Sequence, residues 1–162
     1  KALGGFGAYC ACSASLRDYL VNCCGGLVYS TAIPPTALGA MDAALDLLPA
    51  LGKTRTRLLQ QADDLRATWR AAGLDCGQST TQIVPLIVGE DNEARDLSCA
   101  LEEIGFLVVA IRPPTVPEGT SRLRFAISAA HEAEDLARLK EAVVRLAANK
   151  PSGSQKQKRV AS

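Results

Sequence analysis

Several kinds of chemistry are missing from this sequence. Its only histidine is His131, and its six cysteines (Cys10, Cys12, Cys23, Cys24, Cys76 and Cys99) fall as one C-x-C, one C-C and two singles. A zinc site needs about four well-placed nitrogen or sulfur ligands, usually as two spaced pairs, so no metal site is expected. There is no Walker loop and no paired-carboxylate pattern, and no Ser/His/Asp set can be assembled. No stretch approaches the roughly 18 uninterrupted apolar residues of a membrane span, so no membrane partner is expected. Disulfide frameworks belong to small, core-poor secreted scaffolds. The thiols are therefore read as buried, free and reduced, which implies a cytoplasmic protein.

What is present is an ordinary globular composition. Hydrophobic residues make up 48% of 162 positions and charged residues 22%. That excludes a collagen-like, coiled-coil or wholly disordered chain and leaves room for one or two cores. The formal charge of +1 is unevenly placed. Lys150, Lys156, Lys158 and Arg159 sit in an acid-free tail, which leaves 14 cations against 17 acids, a net −3, for residues 1–148. A body of that sign repels a phosphate backbone, so no nucleic-acid partner is expected. Residues 150–159 lack apolar groups to bury, so residues 149–162 are expected to be disordered. The chain begins Lys-Ala-Leu-Gly-Gly-Phe-Gly, with neither an initiator Met nor a signal-peptide h-region, and reads as entering mid-domain.

Periodicity supplies the elements. Gly7–Cys12 alternates small and apolar residues as a strand would. Ser13 or Ser15 can cap a helix over residues 16–22, which Gly25-Gly26 ends, and residues 27–33 read as an extended connector. Pro34-Pro35 suits a first helical turn, and that helix should run to about Leu48, where Pro49 and Gly52 interrupt. Leu58, Ala62, Leu65, Trp69 and Ala72 form one stripe of a long amphipathic helix that Gly73 stops. Residues 82–88 read as a strand, with Pro85 marking an edge or bulge. Asp91 can cap a helix carrying Ala94, Leu97, Leu101 and Ile104, closed by Gly105. Residues 106–111 are β-rich, 112–120 form a proline loop, 121–128 a strand, and 133–148 a helix with Leu136, Leu139, Val143 and Leu146 inward. This order predicts an α/β to α+β fold, a small sheet with helices on one side. The expected organisation is the end of a larger domain (1–33), connecting helices (34–73), a small α+β domain (74–148) and the basic tail (149–162).

The strand over residues 121–128 carries the sharpest chemical signal. Alternation puts Leu123, Phe125 and Ile127 on one face and Arg122, Arg124, Ala126 and Ser128 on the other. Two guanidiniums beside small residues make an open cationic surface suited to carboxylate or phosphate. Arg112, held by Pro113-Pro114, could converge on the same region. Ser30 and Thr31, just ahead of a helix N-terminus, are a second candidate anion site, with simple capping as the alternative.

Four stretches occur together in order: Lys1-Ala-Leu-Gly-Gly-Phe-Gly-Ala8, Tyr29-Ser-Thr-Ala-Ile-Pro-Pro35, Ile111-Arg-Pro-Pro-Thr-Val-Pro-Glu-Gly-Thr-Ser-Arg-Leu-Arg124 and Ser128-Ala-Ala-His131. Over residues 1 to about 148 the chain resembles the α-oxoamine synthases, pyridoxal-phosphate enzymes of the aspartate-aminotransferase fold (fold type I). The resemblance implies a C-terminal portion of such a homodimeric enzyme, with its active site at the subunit interface. It implies that Lys1 is the lysine that holds the aldehyde cofactor, pyridoxal 5'-phosphate, and moves the substrate's Cα proton. Thr31, helped by Ser30, matches the hydroxyls that reach the cofactor phosphate of the neighbouring subunit. Arg124 matches the arginine that grips the amino-acid carboxylate, Thr115 a substrate-contacting threonine, and Arg112 a residue toward the acyl end; His131 has no assigned role. The Ile-Arg-Pro-Pro-Thr-Val-Pro loop resembles that of the biotin-pathway members, which condense L-alanine with a pimeloyl thioester of coenzyme A or acyl carrier protein. A glycine-using member of the family and a non-catalytic anion-binding module stand as alternatives. The family's ring-stacking residue, pyridine-nitrogen acid and phosphate loop precede the lysine, so these 162 residues alone are not expected to hold the cofactor tightly or to turn over. The Ser that precedes the lysine in the family is not in this chain, and Cys23-Cys24-Gly25-Gly26 departs from the family's polar or aromatic residues.

Overall fold

A computed structural model describes Leu3 and residues 5–148. Lys1 and the basic tail from Asn149 onward lie outside the described residues, and so do the expectations placed on them. The chain forms two compact units that divide after Gly52.

The first unit is helical. Helix α1 (Ala14–Cys23) starts at Ser13, whose hydroxyl accepts the Leu16 amide at 3.3 Å. The expected strand over residues 7–12 does not form: residues 5–13 are irregular, because a strand needs a neighbour to complete its ladder and no described strand lies beside them. Nor is the segment after Gly25-Gly26 extended throughout, since Gly25–Val28 forms a short helix, α2. Helix α3 (Pro35–Leu47) opens on proline as expected. Pro49 and Gly52 reshape rather than interrupt the path: Leu48–Leu51 is a 3-10 turn with Pro49 in its opening, and α4 (Gly52–Ala71) begins directly after it. The glycine-rich start has a packing reason. A Cβ at Gly5 would lie 2.8 Å from Met41 Cγ, and one at Gly7, where φ is +127°, would lie 2.7 Å from Ile33 Cδ1. None of the described residues 3–52 is buried.

The second unit has a core. Strands β1 (Ile83–Gly89), β2 (Val109–Ile111) and β3 (Ser121–Ala126) form an antiparallel sheet in the order β1-β3-β2, with α5 (Asp91–Glu103) and α6 (Ala133–Ala148) completing the unit. Val84 and Leu86 of β1 and Leu123 and Phe125 of β3 pair across the ladder and share one face. Against them pack Ala62, Leu65 and Trp69 from α4, Leu97 and Leu101 from α5, and Leu136, Leu139 and Val143 from α6. Trp69 is fully buried, its ring 4.7 Å from that of Phe125 and tilted 55° to it, with its indole N–H donated to the Lys140 carbonyl at 3.3 Å. The result is the expected small sheet with helices on one face.

Several boundaries differ from their sequence signals. Ala72 lies beyond the last turn of α4 and is exposed, because Gly73 in the left-handed region (φ +78°) has already turned the chain. Asp91 is not the cap of α5. Glu90 occupies that position, and the Asp91 carboxylate instead accepts the hydroxyl of fully buried Ser121 at 2.5 Å. Strand β2 spans only Val109–Ile111, shorter than its β-rich run, because the chain at residues 106–108 leaves the ladder. Pro85 does sit on an edge strand, and the β1 register slips between Ile87 and Gly89. The reading of the thiols as buried holds for Cys76 alone: Cys10, Cys12, Cys23 and Cys99 are exposed and Cys24 is half-buried. Four of these lie in the unit that buries nothing; Cys99 lies on the outer side of α5.

Candidate functional site

The sheet's second face is where the chemistry lies. Register places Pro85, Arg124 and Val109 side by side across β1, β3 and β2, and Ile87, Arg122 and Ile111 one step along. The two arginines therefore stand in a cationic stripe flanked by apolar rows, as the alternation of residues 121–128 implied for the arginines themselves. Pattern in β3 alone could not reveal the apolar flanks; they require the strand pairing.

The two guanidiniums are not equivalent. Arg122 is half-buried and its Nε donates to the Thr120 carbonyl at 3.0 Å, so part of its fork is already used. Arg124 is exposed and has no hydrogen bond or ion pair among the described residues. A free planar fork on a rigid central strand is a ready bidentate donor to a carboxylate. This corrects the expectation of two open cations: one is tied to the loop and one is free.

The hairpin loop between β2 and β3 carries the next two candidates. Arg112 directly follows Ile111, the partner of Arg122, so the loop starts at the end of the sheet where β3 begins. The Thr115 amide donates to the Arg112 carbonyl at 3.0 Å, which closes a turn around the Pro113-Pro114 pair. Both side chains are exposed and unengaged among the described residues. His131 is exposed, and its Nδ1 accepts the Ser128 amide at 3.2 Å, which fixes the ring at the entry to α6.

In the first unit, Ser30 and Thr31 are exposed. Ser30 donates its hydroxyl to the Leu27 carbonyl at 3.2 Å. Thr31 does not cap α3, whose cap position is Pro34 with no side-chain hydrogen bond. Because Pro34 and Pro35 also lack N–H groups, the helix offers fewer free amides than a general anion site would. What remains is the Thr31 hydroxyl, unspent and able to donate to a phosphate oxygen. Lys1 lies outside the described residues. No group of three or more metal-ligating side chains is found among the described residues, and no described helix is long and apolar enough to cross a membrane.

Comparison with known proteins decides the family. The model of the aminotransferase class I and II family matches residues 1–143. The chain belongs to that family. A Magnetococcus marinus protein provisionally named 8-amino-7-oxononanoate synthase is 58% identical over 145 residues, covering 90% of this chain and 37% of that protein. The 8-amino-7-oxononanoate synthase of Gluconacetobacter diazotrophicus is 52% identical over 143 residues, covering 88% of this chain and 36% of its own. Among solved structures, 8-amino-7-oxononanoate synthase from Francisella tularensis superposes with a TM-score of 0.79 at 25% identity, over 91% of this chain and 43% of that one. The chain thus spans little more than a third of the length of these sequence relatives, and its fold is that of fold type I enzymes of the α-oxoamine synthase branch.

Proposed function

We propose that this chain forms the C-terminal part of a dimeric, cytoplasmic synthase of biotin biosynthesis. Its substrates are L-alanine and a pimeloyl thioester, and its product is 8-amino-7-oxononanoate, formed with release of the carrier thiol and CO2. Two observations support this reading. Relatives bearing that name match across nearly the whole chain, and Arg124 stands unpaired on the sheet's polar face.

The residues divide the work by their chemistry. Pyridoxal phosphate, when bound, supplies an electron sink for charge that develops at the amino acid's Cα. Thr31, with an uncommitted hydroxyl, fits the phosphate end, and Ser30 beside it supports the turn through its bond to Leu27. Lys1 would be the amine that holds the cofactor through its aldehyde and, once freed, the base for the proton at Cα. Arg124 holds the amino-acid carboxylate in both oxygens, which fixes which bond at Cα is presented for cleavage. Arg112 and Thr115, on the loop that starts at the same end of the sheet, face the acyl partner. Loss of that carboxylate as CO2 then breaks the Arg124 contact and favours release.

The test is Arg124→Gln in the polypeptide that carries this chain. Because Arg124 is exposed and unpaired, its loss leaves the far-UV circular dichroism unchanged while weakening L-alanine binding by about 2–5 kcal/mol, the value of a buried charged contact to substrate. Unchanged alanine affinity contradicts the assignment. A panel of alanine with pimeloyl thioester against glycine with acetyl-CoA or succinyl-CoA identifies the member of the family; activity only with glycine overturns the substrate reading while leaving the fold intact.

A further inference from the structure

Pro113, Pro114 and Pro117 remove three backbone donors from the loop of residues 112–120, so it cannot extend the ladder between β2 and β3. The hydrogen bonds made inside it are short-range. The Thr115 amide closes on the Arg112 carbonyl at 3.0 Å, and Thr120 donates its amide (3.2 Å) and its hydroxyl (2.7 Å) to the Pro117 carbonyl. These bonds shape two turns and tie neither of them to another element. One foot of the loop is set by the Ile111–Arg122 pair of the ladder. The other foot is Ser121, and it is held differently.

Ser121 is fully buried on the core face of β3, in line with Leu123 and Phe125. A hydroxyl in such a place needs a partner. It donates to the Asp91 carboxylate at 2.5 Å, thirty residues away in the first turn of α5. Asp91 is exposed, so water could satisfy its carboxylate without the serine. The backbone nevertheless brings the two together. The register of β1 slips between Ile87 and Gly89, which sets Gly89 rather than Val88 opposite Ser121, and Gly89, at φ +93°, turns the chain into α5. An apolar residue at position 121 would fill the core without a polar cost. What the serine and aspartate supply instead is direction, because a hydrogen bond to a charged acceptor is short and fixes where both partners stand.

We propose that Asp91, acting through Ser121, is a positioning residue: it pins the β3 foot of the loop and so sets where Arg112 and Thr115 meet the acyl thioester. This rests on the reading of that loop as facing the acyl partner and deepens it. Arg124 lies further along β3 and on the opposite face from Ser121, so the grip on the amino acid does not depend on the pair.

The experiment compares Ser121→Ala, Asp91→Ala and Asp91→Asn. In the polypeptide that carries this chain, loaded with pyridoxal phosphate, the two alanine variants should raise KM for the pimeloyl thioester at least about fivefold and leave KM for L-alanine within about twofold. Asp91→Asn keeps an acceptor oxygen for the serine and should restore most of the thioester KM. In the 162-residue chain, hydrogen exchange at the Thr115 and Thr120 amides should quicken in both alanine variants, while Leu123 and Phe125 stay protected. Asp91 is exposed, so Asp91→Ala remains readable where Ser121→Ala does not fold. Equal rises in both KM values, or a loss of kcat alone, would mean that the pair only holds the fold, and overturns the proposal. An unmoved thioester KM overturns it as well. In that case Arg112→Gln separates the two readings: a raised thioester KM leaves the loop's role standing, and an unmoved one removes that role too.

Discussion

The two units of this chain use their apolar residues in opposite ways, and the first is the richer in them. Residues 53–148 surround Trp69 and Phe125 with a closed core drawn from α4, α5, α6 and one face of β1 and β3. Residues 3–52 bury nothing, although Phe6, Tyr9, Tyr19, Leu27, Tyr29, Leu38 and Leu47 are large and apolar. Burial of apolar area is the main favourable term in folding, and ordering a residue's backbone costs roughly 1–2 kcal/mol. The second unit therefore carries its own stability, whereas the first relies on local helix formation until another surface covers it. Short helices of this length are marginal on their own in water. The division also suits the proposed chemistry: the carboxylate grip sits on the self-supporting sheet, and the phosphate contact sits on the segment proposed to meet a second subunit.

The contrast can be broken most severely at Trp69. Trp69→Ala should cost the second unit about 3–5 kcal/mol, read as a lower urea midpoint, while Trp69→Phe costs visibly less because the ring contact with Phe125 survives. A small effect of Trp69→Ala would mean that the core is not what holds this unit. Arg66 is the next lever. It is 2% exposed, donates to the Thr81 carbonyl at 2.6 Å and pairs at 2.6 Å with Asp63, whose carboxylate is largely in water. Arg66→Ala should cost about 2–3 kcal/mol, through a stranded carbonyl and a lost packed stem, whereas Asp63→Asn should cost under about 1 kcal/mol.

Cysteine chemistry distinguishes the units without mutation. Burial raises the Cys76 thiol above its ordinary value, partly offset by Arg70 and Arg66. The folded state thus keeps the proton that the unfolded chain releases. Stability from this group is complete below the ordinary thiol value, about 8.5, and falls as pH rises from there through the raised value. At pH 8 iodoacetamide should label exposed Cys99, Cys10 and Cys23 quickly, and Cys76 only as fast as the second unit opens. The smallest effect belongs to Leu47→Ala: at 63% exposure it should move the second unit's midpoint by less than about 0.5 kcal/mol.

How much of this was legible in residues follows the same divide. The β3 alternation, the α6 stripe, Trp69 as core and the glycine stops at Gly73 and Gly105 all read correctly, because in the second unit pattern and burial agree. The strand over residues 7–12 failed because alternation specifies a face but supplies no neighbouring strand to pair with. Asp91 failed as a cap because a buried serine thirty residues away claims its carboxylate. In the site, the face of Arg124 was readable from period two, while the capture of Arg122 by the Thr120 carbonyl is a property of loop geometry that no pattern in β3 encodes. Lys1, by contrast, was singled out by family resemblance alone, since as an isolated residue it carries no pattern.

The most direct measurement therefore concerns that lysine. The polypeptide that carries this chain, loaded with pyridoxal phosphate, is reduced with borohydride, digested and mapped by mass spectrometry. The cofactor-derived mass should appear on Lys1. Its appearance on any other lysine, with Lys1 unmodified, would contradict the proposed function at its covalent step.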